Sequence, residues 1–474
     1  MLTFRDSLIT LSMVVLCIVS AILLKISLFF GFATAILLLL IYFSQKGFSA
    51  RSMAEAALIA VRGCTVVYVV ILLMGISIAV WIASGVIPAI IYYGLDWFAK
   101  ETFLTAAFII TSIVAMIMGT GLGTLSTIGI ALMGIGSGFG FEPPLVLGAI
   151  LSGSYIADKL SPVNGLVNLQ LGVAKLPYKV YARAALKTTI PVMLICILLY
   201  SWIGSASETV TAAVNTQVLR EALAEQYVMS PLLFLIPAIL LGMTFKGFKI
   251  HVGMLVCILI GGLTAILVQG AGVVELITWL AKGYRLSPES APLLANILKG
   301  GGVAPMLEVL LIVLCAVAFS GILERTNALA PMMNKVISEK DGPGRLTFKT
   351  GLLSILFLSV SCDQTLPILL PIKSLRSAFE SRGLTIADLA RTVSDTGVIM
   401  APLQFWNVNT IIIVGLTGIT PALYAKYSFL LYLFPLVTVI YALILGSRHG
   451  RRNQPSTTEK ENDYDTKIQN GPGL

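Results

Sequence analysis

The sequence predicts an all-α polytopic membrane protein with about 10–13 transmembrane helices, some of them broken or re-entrant. Of its 474 residues, 57% are hydrophobic and only 12% are charged. A soluble domain carries about 25% charged residues, so this composition excludes a soluble enzyme and also a disordered protein. The apolar runs are long and continuous rather than alternating, which disfavours an outer-membrane barrel.

The apolar runs define one predicted transmembrane domain over residues 1–446, in approximate halves 1–228 and 229–446. Its first two runs are almost contiguous, which predicts a retained helical hairpin rather than a signal peptide. After the last run, residues 447–474 are polar and contain Gly, Pro, Ser and Asn. We expect this segment to be a disordered cytoplasmic tail.

Basic residues predict the orientation in the membrane. Loops 44–63, 158–188 and 324–350 are rich in Lys and Arg, and the positive-inside rule then places both termini in the cytoplasm of a protein integral to the cell membrane. Loop 373–391 is also basic, although one apolar segment, Gly351–Ile372, separates it from loop 324–350. Either this segment is a re-entrant hairpin or the charge rule fails there.

Several function classes lack their motifs in this sequence. There is no P-loop, no HExxH and no CxxC pair, and the chain contains two histidines. We therefore expect no enzymatic activity, no cofactor, and no metal other than a transported ion. The energy for transport must come from an ion gradient or from the gradient of the solute itself.

The first interruption of the apolar pattern is the glycine-rich stretch 119–140. Gly119, Gly121 and Gly123 are candidate helix breaks, and Thr120 is a candidate ligand among them. Small residues let helices pack closely. Unwound backbone and hydroxyl groups would alternatively suit a hard cation such as Na⁺. The stretch alone leaves both interpretations open.

The second interruption comes after an apolar run that ends near Asp158. Ser161 and Pro162 break the helical pattern beyond this aspartate, and Asn168 lies ten residues past Asp158. Ionisable residues inside a membrane are costly and usually functional, so Asp158, Ser161 and Asn168 are candidate ligands. The alternative is an interfacial aspartate that pairs with Lys159.

The second half contains two further interruptions. Asp363 and Gln364 lie inside an apolar run with Pro367 behind them, although a re-entrant turn into water would also explain an aspartate there. The other interruption contains Asp395, Pro402 and Asn407. Its alternative interpretation is a loop between two spans.

The two halves resemble each other loosely. Pro162 precedes Asn168 by six residues and Pro402 precedes Asn407 by five. Paired broken helices indicate a secondary transporter with inverted repeats and a site near the bilayer midplane. Glu308 comes after a run of three glycines and is either a member of that site or an interfacial acid.

These segments resemble the NhaC family of Na⁺/H⁺ antiporters. The resemblance rests on GTGLGTLSTIGIALMGIGSGFG (119–140), GAILSGSYIADKLSPV (148–163), FSGILERT (319–326), DQTLPILLP (363–371), SRGLTIADLARTVSDTG (381–397) and APLQFWN (401–407). It implies Na⁺/H⁺ exchange by alternating access, and some members exchange organic acids such as malate and lactate. The positions that match the family pattern are Thr120, Asp158, Lys159, Ser161, Pro162, Asn168, Asp363, Gln364, Asp395, Pro402, Trp406 and Asn407.

The chain also departs from the family pattern. Where the family continues with Ser-Asp-Thr-Thr, this chain has residues 164–167, Asn-Gly-Leu-Val. Ser394 stands where Glu is frequent, Gly121-Leu122 replace a Ser-Trp pair, and Glu308 stands where a neutral residue is expected. Losing oxygen ligands makes the pocket more apolar, which suits an organic solute.

The leading hypothesis is therefore a Na⁺/H⁺ antiporter in which the ions bind intramembrane carboxylates. The alternative is a Na⁺- or H⁺-coupled carrier or exchanger of a small organic acid or amino acid. The expected partners are Na⁺ and H⁺ or that solute, and membrane lipid, but no nucleic acid. The sequence leaves open whether the chain forms a homodimer.

Overall fold

The computed structural model describes residues 2–206, 212–286 and 292–452, and these fold almost entirely into helices. The first helices are α1 Phe4–Leu23, α2 Leu28–Gln45, α3 Ala50–Gly63, α4 Thr65–Ala83, α5 Val86–Trp97, α6 Lys100–Met118, α7 Gly121–Thr124, α8 Ile130–Gly138, α9 Pro143–Ser154, α10 Ile156–Leu160, α11 Gly165–Ala174, α12 Tyr178–Ala206 and α13 Ala212–Gln226. They are followed by α14 Leu235–Phe245, α15 Ile250–Leu267, α16 Val273–Lys282, α17 Pro292–Ile297, α18 Val303–Thr326, α19 Ala330–Val336, α20 Pro343–Ser361, α21 Thr365–Glu380, α22 Ile386–Val393, α23 Val408–Thr417, α24 Pro421–Tyr424 and α25 Phe429–Arg452.

Shorter elements lie between these helices. Leu125–Gly129 and Ser394–Val398 are π-helical, and Pro231–Phe234, Ala401–Leu403 and Ala425–Tyr427 are 3₁₀ turns. In the described residues, the strands are β1 Tyr284–Arg285 and β2 Lys299–Gly300, which pair antiparallel.

The number of apolar helices confirms the predicted fold class. Within the described ranges, nine helical stretches are long and apolar enough to cross a membrane, and two bent pairs raise the number to as many as eleven. The chain is therefore an all-α integral membrane protein. Helix α25 continues to Arg452, past the predicted domain end at 446, and the remainder of the predicted tail, 453–474, lies outside the described residues.

The first two helices form the hairpin that the sequence predicts. Thr3 and Asp6 form a capping box at the start of α1. At the same end of the hairpin, the Asp6 carboxylate accepts a hydrogen bond from the Tyr42 hydroxyl at 2.6 Å and contacts Lys46 Nζ at 2.7 Å. The two helices therefore return the chain to the side from which it entered.

Helices α20 and α21 resolve the conflict between the two basic loops. The chain reverses at Cys362, whose φ of 62° ends α20, and α21 then packs back along α20. Arg382, just past α21, donates to the carbonyl oxygens of Ser338 at 3.0 Å and Asp341 at 2.6 Å, just before α20. Both ends of the hairpin thus lie on one side of the protein, which is the re-entrant alternative.

A partly buried ion pair supports this end of the hairpin. Lys349 Nζ on α20 donates to both oxygens of the Asp341 carboxylate, at 2.9 and 2.8 Å. Burial raises the pKa of the Asp341 carboxyl, but the hydrogen bonds from Lys349 and from the Ser338 N–H outweigh burial and hold the pKa below its ordinary value. The carboxylate is therefore charged at neutral pH and fixes the loop before α20.

Helix α18 runs antiparallel to α3 and α4. At one end, the Gly302 N–H donates to the Gly75 carbonyl at 2.7 Å. At the other end, Gly321 packs against Ala60, so closely that an added Cβ would lie 2.6 Å from the Ala60 Cβ. This register fixes the depth of every residue of α18 relative to α4.

Candidate ion-binding site at two broken helices

The first break separates α10 from α11. Ser161 to Asn164 are not helical, and the Asn164 side chain caps α11 by accepting from the backbone N–H groups of Leu166 at 2.7 Å and Val167 at 3.1 Å. The Ser161 hydroxyl donates to the Met116 carbonyl of α6 at 2.8 Å. The break is therefore an ordered feature held by polar side chains, as non-helical backbone at membrane depth requires.

The second break separates α22 and its π-helical turn from α23. Asn407 caps α23 by accepting from the Asn409 N–H at 3.0 Å. The Trp406 indole donates to the Ser359 carbonyl at 2.7 Å, and the Tyr424 hydroxyl donates to the Pro402 carbonyl at 2.5 Å. Each break thus ends in an asparagine that caps a ten-residue helix, and the residue equivalent to Asn407 is Asn164 rather than the predicted Asn168.

The Asp158 carboxylate lies where the two breaks meet. Asn164 donates to its Oδ1 at 2.9 Å and Gln364 donates to its Oδ2 at 3.4 Å. The Gly121 N–H, at the start of α7, also hydrogen-bonds this carboxylate. Only 6% of Asp158 is exposed. Residues from both halves of the chain therefore surround one buried carboxylate.

Amide and phenol groups extend this network. Gln364 Oε1 accepts from Asn409 Nδ2 at 3.1 Å, and the Tyr155 hydroxyl donates to Asn409 Oδ1 at 3.0 Å. Asn407 Oδ1 accepts from the same Asn409 amide at 3.0 Å. The structure thus brings Asp158, Gln364 and Asn407 together as predicted, and adds Tyr155, Asn164 and Asn409. We call these six residues the amide network.

All the donors that contact Asp158 are neutral. No Lys, Arg or His nitrogen in the described part of the chain forms a salt bridge with its carboxylate within 4.0 Å. A buried carboxylate without a counter-charge is costly in its charged form. It therefore favours either a bound proton or a bound cation.

Asp395 is surrounded differently. Its carboxylate forms a fully buried ion pair with Lys159, the residue next to Asp158. Thr188 of α12 donates to Oδ1 at 3.2 Å and Thr438 of α25 donates to Oδ2 at 3.0 Å. The predicted pairing of Lys159 with Asp158 is therefore wrong, because successive residues of α10 point to different partners.

Arg391 adds a second buried cation near Asp395. Its Nε lies 3.9 Å from Asp395 Oδ2, its Nη1 lies 3.7 Å from Asp388, and its guanidinium lies 3.9 Å from the centre of the Tyr441 ring. Asp388, Arg391 and Asp395 thus alternate in charge along one face of α22 and its π-helical turn, and Lys159 lies next to Asp395 across the contact. The alternation balances the buried charges.

Asp363 is partly exposed and lies outside the amide network. Its Oδ1 accepts from the Thr365 N–H at 2.7 Å, and its carboxylate also interacts with the Ser320 hydroxyl. Asp363 lies next to the reversal at Cys362, one residue before the N-cap Gln364, and its side chain satisfies the first N–H group of α21. The structure explains its position by helix capping without a direct contact to Asp158.

Four other predicted ligands also lie outside the amide network, and one of them is Ser161, whose hydroxyl donates to the Met116 carbonyl. The Thr120 hydroxyl caps α7 by accepting from the Gly123 N–H at 3.3 Å. Asn168 is exposed, and its amide donates to the carbonyls of Pro162 and Asn164 in its own segment. Glu308 is exposed on α18 in a different cavity.

Four of the six predicted helix breaks lie at real interruptions. Gly119 ends α6 with a φ of 71°, Gly121 begins α7, and Pro162 and Pro402 lie in the two broken segments. Two predictions were wrong, since Gly123 lies within α7 and Pro367 within the first turn of α21. A proline in the first helical turn removes no intrahelical hydrogen bond, so Pro367 does not interrupt α21.

The glycine-rich stretch contributes both to close helix packing and to the ion site, the two interpretations that the sequence left open. An added Cβ at Gly121 would lie 3.2 Å from the Ser154 carbonyl and 3.2 Å from the Tyr155 ring, so close helix packing requires glycine there. The N–H of the same residue hydrogen-bonds Asp158. Packing thus brings the start of α7 to the carboxylate.

The donor set suits a transported cation rather than a resident metal. Across the described residues, no cluster of three or more His, Cys, Asp or Glu side chains could hold a metal ion. The amide network instead offers one carboxylate with amide and phenol oxygens. Oxygen ligands of this kind suit hard cations.

Comparison with known proteins identifies the family of this chain. Residues 166–446, more than half of the chain, match the model of the Na⁺/H⁺ antiporter family. The chain is 29% identical to the Na⁺/H⁺ antiporter NhaC of Alkalihalophilus pseudofirmus, over 79% of this chain and 81% of the relative.

Two further relatives carry other names. The arginine/ornithine antiporter ArcD of Halobacterium salinarum is 30% identical, over 77% of this chain and 75% of the relative. The malate-2H⁺/Na⁺-lactate antiporter of Bacillus subtilis is 27% identical, over 84% and 85%. The family model, the relatives and the broken helices agree, and the chain belongs to the Na⁺/H⁺ antiporter family as an NhaC-type secondary antiporter.

Proposed function

We propose that this chain exchanges Na⁺ for H⁺ and that both ions compete for the Asp158 carboxylate. The observation that carries the proposal is a buried carboxylate whose described partners are all neutral. A proton and a monovalent cation neutralise this carboxylate equally well, and both cannot bind it at once. Competition for this one negative charge couples the binding of Na⁺ to the release of H⁺, and no second binding site is required.

The broken helices supply the conformational part of the exchange. We take the amide network as the cargo site. It lies between α10, α11, the hairpin α20–α21 and α23, and therefore between the two halves of the chain. Alternating access requires one group of helices to move relative to another around a central site. The Lys159–Asp395 pair links α10 to the π-helical turn after α22, so we expect these two segments to move as a unit.

The second candidate function is coupled exchange of a small organic acid or amino acid. The Asn407 amide nitrogen is buried and has no hydrogen-bond partner in the described ranges. A buried donor is costly unless an acceptor reaches it, and a carboxylate or carbonyl oxygen of a solute would serve. An added Cβ at Gly165 would meet no atom within 4 Å, which leaves room beside Asn164. The relatives named for arginine/ornithine and for malate and lactate are consistent with such a cargo.

We also propose that both termini lie in the cytoplasm of a cell-membrane protein. The hairpin α20–α21 supports this orientation because it brings both neighbouring basic loops to one side. The division into halves 1–228 and 229–446, and a homodimer, stay predictions.

Transport by purified protein in liposomes that contain a pH dye tests the proposed cargo. We expect external Na⁺ to drive proton movement in the wild type and Asp158→Asn to reduce it to the level of protein-free liposomes. Asp96→Asn is the matched control, because Asp96 is an exposed partner of Arg220. Proton movement that requires an added carboxylate or amino acid would support the second candidate, and normal Na⁺-driven exchange by Asp158→Asn would refute the proposed site.

A further inference from the structure

Glu308 is exposed on the surface of α18. The register of α18 on α4 places Gly302 beside Gly75, which is eight residues, or about 12 Å, before the end of α4 at Ala83. Glu308 lies six residues further along α18, about 9 Å closer to the start of α4. It shares a cavity with Ile22 and Leu28, which flank the turn between α1 and α2, so it lies near that turn.

The neighbours of Glu308 show that this surface faces lipid. Leu307 and Leu311 flank it on α18 and are 48% and 52% exposed. Large exposed apolar side chains on a membrane-spanning helix are lipid contacts. No residue within the described ranges forms a hydrogen bond or salt bridge with Glu308, so its carboxylate is free to pair with a cationic ligand.

Glu308 opens onto an apolar cavity of about 590 Å³ between α1, α18 and α23. The lining includes Ile22, Val309, Ile312, Ile411 and Val414, and Glu308 is the one charged side chain among the described lining residues. The size and lining are those of a small-molecule site. The chemistry is that of an apolar pocket with a single negative charge.

We propose that this cavity binds an organic monocation with a hydrophobic body, such as a quaternary or protonated amine. The Glu308 carboxylate contacts the ammonium group, and the aliphatic lining buries the hydrocarbon around it. A hydrated alkali cation lacks the apolar surface that the lining requires, and a neutral hydrocarbon leaves the carboxylate unpaired. Charge and shape together therefore select a hydrophobic ammonium ion.

The cavity is separate from the amide network, but the two share helix α23. Ile411 and Val414 lie on α23, which also carries Asn409 of the amide network. Phe405, which also lines the cavity, is two residues before Asn407. An occupant of the cavity thus contacts α23 on the side away from Asp158.

The test is binding of tetrabutylammonium to the full-length protein in lipid nanodiscs, measured by thermal unfolding and calorimetry. We expect saturable stabilisation by tetrabutylammonium and at least about tenfold weaker binding of tetramethylammonium, which has little hydrocarbon to bury. Glu308→Gln should weaken binding at least about tenfold, or about 1.4 kcal/mol. Glu324→Gln, at the exposed far end of the same helix, is the matched control and should bind normally.

A second variant tests the shape independently of the charge. Val414→Phe keeps Glu308 and fills part of the cavity, so it should abolish saturable binding. The proposal is overturned if tetrabutylammonium does not bind saturably, if Glu308→Gln binds it as well as the wild type, or if Val414→Phe leaves binding intact. Because the readout is binding and not transport, these outcomes do not depend on the proposed Na⁺/H⁺ exchange.

Discussion

Asp158 and Asp395 are both buried carboxylates beside broken helices, but only Asp395 has a cationic partner among the described residues. Asp158 accepts hydrogen bonds from amide and backbone groups. Asp395 is paired with Lys159 and lies close to Arg391. The comparison indicates that the same residue type has two roles here. A carboxylate with neutral partners is available to exchangeable ions, whereas one with a permanent counter-ion joins helices.

The largest expected effect on stability concerns the Lys159–Asp395 pair. Asp395→Asn leaves the buried charge of Lys159 without its partner and also removes the carboxylate next to Arg391, so it should lower the free energy of unfolding by about 3–5 kcal/mol. Lys159→Gln leaves Asp395 with only the more distant Arg391 and should cost a large part of the same free energy. The double variant Lys159→Met/Asp395→Leu should recover most of that loss. Denaturation in mild detergent measures all three. Single variants as stable as the wild type would mean that the pair does not hold the breaks together.

The same chemical change at Asp158 should have a smaller effect on stability. Asp158→Asn leaves no counter-ion behind but leaves one buried amide donor without its acceptor, so we expect the free energy of unfolding to fall by only about 1–2 kcal/mol. Transport should nevertheless be lost. Unfolding curves of Asp158→Asn and Asp395→Asn, recorded side by side, give the contrast. Equal destabilisation would remove the distinction between the two carboxylates.

A smaller effect should separate Asn164 from Asn168. Asn164→Ala loses the cap of α11, about 1 kcal/mol, and also a donor to Asp158, so the Na⁺ concentration for half-maximal exchange should rise several-fold. Asn168→Ala removes an exposed amide that bonds only carbonyls of its own segment, and should change stability by less than about 0.5 kcal/mol. If Asn168→Ala impairs exchange more than Asn164→Ala, the capping comparison is wrong.

The smallest expected effect concerns the residues just after Asn164. A side chain at residue 165 would have room, so Gly165→Asp combined with Leu166→Thr should fold and supply further oxygen ligands near Asp158. We expect the Na⁺ concentration for half-maximal exchange to fall a few-fold in the liposome assay. An unchanged Na⁺ dependence would place this segment outside the ion pathway.

The fold class and two interruptions could be predicted from the sequence because a polar residue in an apolar run is conspicuous. This signal predicts Asp158, Gln364 and Asn407, which do lie together. Composition and basic loops also predict the α20–α21 hairpin as one of two alternatives. The structure decides between them through the contacts of Arg382 with the loop before α20.

The remaining features depend on contacts between distant parts of the chain. Tyr155 lies in an apolar run, where a tyrosine is equally typical of a helix core, and Asn409 gives no separate signal. Asn164 stands out in the sequence as a departure from the family pattern rather than as a ligand. Lys159 and Asp395 lie in different halves of the chain, so a single sequence does not indicate that they pair. The sequence suggests Glu308 as a member of the ion site only because it is an acidic residue in an apolar run, whereas in the structure it lines a separate cavity.

Proton release on Na⁺ binding tests the central claim most directly. Purified protein in weakly buffered detergent solution would receive NaCl, with choline chloride as the ionic-strength control, while a pH dye records released protons. If Na⁺ and H⁺ compete for Asp158, the wild type releases protons with a saturable dependence on Na⁺, and Asp158→Asn releases none. Equal proton release from wild type and Asp158→Asn would contradict competition at this carboxylate.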